Sequence, residues 1–168
     1  MGRTLIAGFG NDLRGDDGFG VSVIRRLEAG RPLGDDVHLM EVGSAGLRLV
    51  QELLASYDLL IIIDAMTRGG APGEVYVREV EAVEPVTGID LHLAIPSRAL
   101  AVAKAMGALP ERVVLVGCEP AHIEEFTTEL SRPVQGAVDP VLRHIESLVR
   151  TAGRAHAAGG VAPCNADG

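Results

Sequence analysis

A chain of 168 residues with 47% hydrophobic but only 3% aromatic residues suits one compact domain whose core is built from Leu, Val, Ile and Ala. Its formal charge of -8 opposes phosphate backbones and anionic lipid surfaces, so nucleic acid is not an expected partner. The longest apolar run, residues 59–63, is far too short to span a bilayer, and the first residues enter a strand pattern with no charged and apolar leader, which points to a cytoplasmic protein without membrane insertion.

Short β-branched or Leu-rich runs alternate with helical periods along the chain, the pattern of βαβ units and a parallel sheet covered on both faces. Residues 4–8 read as the first strand, and residues 21–27 as a helix that turns Val21, Ile24 and Leu27 to the core. A second strand over 37–42 precedes a helix marked by Leu47, Val50, Leu53 and Leu54 and started near Ser44. The run 58–64 (DLLIIID) has the continuous apolar character of a central strand, and it ends in an aspartate. After the turn region 68–73 (RGGAPG), residues 74–80 alternate as an edge strand does.

A polar linker carrying His92 leads to a helix over 97–106, stopped at Gly107, and residues 112–117 (RVVLVG) form a further buried strand. The last helix, 132–149, is expected to kink at Pro140 or restart after Asp139. Residues 151–168 are rich in Ala and Gly without apolar periodicity, and are expected to form a disordered extension of a single domain spanning 1–150. The expected fold is a three-layer α/β sandwich with about five mostly parallel strands.

In an open parallel sheet, ligands gather beyond the C-terminal ends of the strands. Asp16 and Asp17 follow the first strand in GFGNDLRGDDGFG, Asp64 ends the third, and His92 follows the alternating strand. Two carboxylates and an imidazole suit Ni, Zn, Fe or Mn with positions left open for water or substrate. The same aspartates also suit turn and helix-cap chemistry. Asn11 either folds the glycine loop onto itself or touches substrate.

Other chemistries find less support. Gly8-Phe9-Gly10 opens a dinucleotide fingerprint, but Leu13 stands at the third glycine and Asp12, Asp16 and Asp17 would repel a pyrophosphate. Ser44, Ser97 and Cys118 lack a nucleophile elbow, and Cys118 at a strand end reads as core. Cys118 and Cys164 have no C-x-x-C spacing and fit free thiols in a reducing compartment. His38, His122, His144 and His156 read as structural or solvated.

Taken in order, Gly8-Phe9-Gly10-Asn11, Asp16-Asp17-Gly18-Phe19-Gly20, Asp64-Ala65, Pro72-Gly73-Glu74-Val75, His92 and residues 109–120 (LPERVVLVGCEP) resemble the hydrogenase maturation endopeptidases over most of residues 4–150. The resemblance implies a peptidase that removes the C-terminal extension of a [NiFe] hydrogenase large-subunit precursor after nickel insertion. It maps the family's metal-binding acid, strand-end aspartate and histidine onto Asp17, Asp64 and His92, the trio reached above. Nickel would then be supplied by the substrate and serve as the recognition signal. Asp16 is either a general base or a turn residue. The alternative is a non-proteolytic nickel-sensing or nickel-carrying accessory protein with the same three ligands.

Overall fold

A computed structural model describes residues 2–84 and 95–159, and the segment carrying His92 lies outside the described residues. Five strands, β1 (Thr4–Phe9), β2 (Val37–Gly43), β3 (Leu59–Ala65), β4 (Val75–Glu79) and β5 (Arg112–Cys118), form one sheet in the order β2-β1-β3-β5-β4. The β1–β2, β1–β3 and β3–β5 pairs are parallel, and β4 runs antiparallel along the edge of β5. Helices α1 (Phe19–Glu28), α2 (Gly46–Leu53), α3 (Pro96–Ala105) and α4 (Arg132–Gly159) cover it.

The two-residue repeat of the strands builds the three layers. Leu5, Ala7 and Phe9 of β1 join Leu60, Ile62 and Val113 in a core with Leu49, Val50 and Leu53 of α2 and Ala99, Leu100 and Ala103 of α3. The intervening Ile6, Ile61, Ile63, Val114 and Val116 form a second core with Phe19, Val23 and Ile24 of α1 and Val134, Val141 and Ile145 of α4. A strand that feeds both cores needs an apolar residue at every position, which is why β3 reads LLIII. Each fully buried Ile or Leu contributes roughly 1.5–3 kcal/mol of transfer free energy.

Four details differ from the sequence expectation. Helix α2 begins at Gly46 behind Ala45, and Ser44 provides no side-chain cap. Its buried stripe is Gly46, Leu49, Val50 and Leu53, so Leu47 and Leu54, each one residue beyond a stripe position, turn to solvent. A stretch with leucines on most of its circumference does not reveal its own phase; the sheet selects it.

Helix α4 passes through Pro140 without a restart. The proline ring opposes the carbonyl of the residue four earlier, which is Gly136, and the stripe Val134, Ala137, Val141, Ile145 stays buried on both sides of it. The helix also continues through Gly159, which corrects the expected disorder from residue 151 for the first part of that segment. Leu148, Val149 and Ala152 still pack against the core, and alanine extends an existing helix at little cost. Residues 160–168 lie outside the described residues. Among the described residues no helix is long and apolar enough to cross a membrane.

Candidate functional site

The parallel registers Gly8↔Ile63 and Asp64↔Gly117 bring the C-terminal ends of β1, β3 and β5 to one edge of the sheet. The chain leaves β1, closes a 3-10 turn over Gly15–Gly18 and enters α1 directly. At Gly20 a Cβ would sit 2.3 Å from the carbonyl oxygen of Ile63 and 2.4 Å from that of Phe9. Only a glycine lets the start of α1 rest on the strand ends. Gly10, at φ +112°, wraps the same loop so closely that a Cβ there would lie 1.8 Å from the carbonyl oxygen of Asp17. The glycine-rich spacing thus presses the two-aspartate turn against the end of β3, where Asp64 emerges.

Asp17 and Asp64 are both half-buried. The Asn11 N–H donates to Asp17 Oδ2 at 3.0 Å, and Asn11 Oδ1 accepts the Leu13 N–H at 3.0 Å, so Asn11 folds the loop onto itself. Burial, and then the nearby Asp17 charge, pushes the Asp64 carboxyl up to about 7 against a lowering contribution from the Ala65 N–H. Two carboxylates close enough to repel, in a partly desolvated place and short of donors, favour an added cation. Hard carboxylate oxygens with an imidazole nitrogen form a donor set that accepts nickel or zinc. His92, the nitrogen donor expected from the sequence, lies outside the described residues, and among those described no His, Cys, Asp or Glu completes a group of three with the pair.

The preceding residue has the opposite environment. Asp16 is 1% exposed and accepts four hydrogen bonds from residues far along the chain. Its Oδ2 takes the N–H groups of Ala121 (2.8 Å) and His122 (3.1 Å) and the Ser131 hydroxyl (2.8 Å), while Oδ1 takes the Ser131 N–H (2.7 Å). Burial alone would raise this carboxyl, but the bonds from Ser131, His122 and Ala121 outweigh it and hold it below the ordinary value. A carboxylate so occupied is a poor general base, and Asp16 is instead the anchor of the segment 121–131.

Glu119 does the same on the other side of the strand end. It is 4% exposed and accepts the N–H groups of Arg68 (2.8 Å) and Gly69 (3.2 Å) and the Tyr76 hydroxyl (2.8 Å). Burial opposes its ionisation, and these donors together with the Gly70 N–H lower its pKa. From the sequence, Glu119 lies in a motif and Ser131 in a surface loop, and neither has an assigned structural role. The available signal was that Glu119, like Asp64, sits at the C-terminal end of a buried strand.

Cys118 is fully buried, and burial with the nearby Asp16 and Glu119 charges pushes its thiol up to about 12. A neutral thiol in the core is no nucleophile, in agreement with its reading as packing. His38 packs edge-on against Tyr57, with ring centroids 5.6 Å apart, and belongs to the structure as expected.

Comparison with known proteins identifies the chain's relatives. A family model described as hydrogenase maturation protease (HycI) matches residues 21–148. The hydrogenase expression/formation protein HupD of Rhizobium leguminosarum bv. viciae is 35% identical over 154 residues, spanning 90% of this chain and 76% of that protein. The hydrogenase 2 maturation protease of Escherichia coli K12 is 30% identical over 154 residues, spanning 90% of this chain and 93% of that protein. Among solved structures, the hydrogenase maturating endopeptidase HybD from E. coli superimposes with a TM-score of 0.78 at 30% identity, covering 90% of this chain and 94% of that one. The [NiFe] hydrogenase maturation protease HycI from Thermococcus kodakarensis KOD1 gives 0.67 at 27%, covering 88% and 92%.

Proposed function

Because the chain belongs to the hydrogenase maturation protease family, a family of peptidases, we propose that it removes the C-terminal extension of a nickel-loaded [NiFe] hydrogenase large-subunit precursor. The observation that carries the reading is the pairing of Asp17 with Asp64 at the sheet edge, where burial and then the Asp17 charge raise the pKa of Asp64. The nickel already held by the precursor supplies a cation to this pair as part of the substrate. His92 is the third donor. A precursor without nickel loses these contacts and binds less well, so cutting waits for metal insertion. Maturation takes place in the cytoplasm, where the Cys118 thiol stays reduced.

The test follows the mass of nickel-loaded and nickel-free precursors incubated with the protein and with Asp17→Ala, Asp64→Ala and His92→Ala. Loss of a C-terminal peptide from the nickel-loaded form alone, abolished by each substitution, is the expected outcome. Nickel-dependent binding with an unchanged precursor mass overturns the peptidase reading in favour of a nickel carrier.

A further inference from the structure

Residues 121–131 form a strap held against the site loop from both ends and in the middle. Asp16 ties Ala121 and His122 at one end and Ser131 at the other. Between them the Gly15 N–H donates to the Thr127 carbonyl at 2.8 Å, and Arg14 and Thr127 form an isolated parallel bridge. The Thr127 hydroxyl accepts the Glu129 N–H at 3.2 Å, which braces the turn. On this pinned segment Phe126 is 89% exposed and Ile123 39%. Across the bridge Leu13, which precedes Arg14 as Phe126 precedes Thr127, is 49% exposed.

A phenylalanine held in water on a pinned backbone is unfavourable for the free protein, and the same backbone has little ordering entropy left to lose on association. The charge around it selects the partner. Glu124, Glu125 and Glu129 are exposed, and among the described residues none of them forms an ion pair. Glu125 and Glu129 also line a cavity of about 260 Å³ beneath the strap, beside Gly15 and Asp16. An apolar knob flanked by exposed acids is complementary to an apolar pocket rimmed by Lys or Arg.

We propose that the strap, with Phe126 as its anchor and Glu124, Glu125 and Glu129 as its acidic rim, is the docking surface for the hydrogenase precursor. This rests on the proposed function. Because Asp16, which pins the strap, is the residue before Asp17, docking there brings the bound polypeptide to the Asp17–Asp64 pair.

The experiment measures the Kd of a nickel-loaded large-subunit precursor that the wild-type protein binds, together with KM and kcat for cleavage. Phe126→Ala should raise Kd and KM by roughly 10- to 30-fold, the size of an interface hot spot, with kcat at saturation unchanged. Phe126→Leu should recover part of the loss. Glu124→Gln, Glu125→Gln and Glu129→Gln combined should lower the association rate and flatten its dependence on salt. An unchanged thermal midpoint for each variant separates docking from folding. Kd and KM within about twofold of wild type for Phe126→Ala overturn the proposal. So does a change in self-association of the free protein with precursor affinity unaltered, since a second copy would then be the partner. A wild-type protein that binds the precursor without cutting it overturns the peptidase reading alone, and Kd still decides the docking surface.

Discussion

Asp16 and Asp17 are consecutive and carry the same side chain, yet they serve opposite ends. Asp16 accepts four hydrogen bonds and is held below the usual carboxylate range, and its charge is spent on the strap 121–131. Asp17 accepts the Asn11 N–H and lies near Asp64, whose carboxyl is pushed up to about 7 by burial and then by the Asp17 charge. Glu119 and Asp64 repeat the contrast one strand apart, since each lies at the C-terminal end of a buried strand but only Glu119 meets a cluster of donors. The number of N–H and O–H groups aimed at a carboxylate, rather than its burial, decides whether it stabilises the fold or stays available for a cation. Proteins tolerate such under-satisfied groups where function needs them.

That contrast can be broken by substitution. Asp16→Ala leaves the donors of Ala121, His122 and Ser131 without their acceptor and should cost on the order of 3 kcal/mol. For a domain of this size that is a fall in Tm of roughly 6–12 °C, read by calorimetry, with Asp16→Asn between it and wild type. Glu119→Gln should cost less, because the amide oxygen keeps part of the donor set around residues 68–70.

The acid limb of stability sharpens the same point. Asp16 and Glu119 have lowered folded-state pKa values, so in mildly acidic solution the unfolded chain binds protons first. Their contribution is complete above the unfolded values of about 4, and is lost as pH falls through the folded ones. Urea unfolding from about pH 6 down to about pH 3 should therefore show a shallower decline for Glu119→Gln than for wild type. An equal slope in both would remove Glu119 from the clamped class.

Smaller effects belong to the surface and to the site pair. Arg25 bridges Asp12 at 2.9 Å and Glu41 at 2.8 Å beside the glycine loop, but it is solvated, and Arg25→Ala should cost no more than about 1 kcal/mol in urea unfolding. Asp64→Asn should leave the fold at least as stable as wild type, because it removes a repelling charge, while the precursor is no longer processed. A loss of more than about 2 kcal/mol for Asp64→Asn would place that carboxylate with Asp16 among the structural groups.

Strand order along the chain, the continuous burial of β3 and the edge character of β4 were legible in local patterns, which also set Asp16, Asp17 and Asp64 near strand ends without choosing between the two neighbours. A two-residue or 3.6-residue repeat reports which face a residue takes, and strand ends in a parallel sheet report where ligands gather. Three things were decided elsewhere. The phase of α2 depended on which leucines the sheet accepted, and the length of α4 on Leu148, Val149 and Ala152 finding a core to pack against. The division of labour between Asp16 and Asp17 depended on donors from Ser131, 115 positions away. Periodicity is a property of neighbours in the chain and survives in the sequence; a hydrogen bond between distant segments exists only once the sheet has brought its strand ends together.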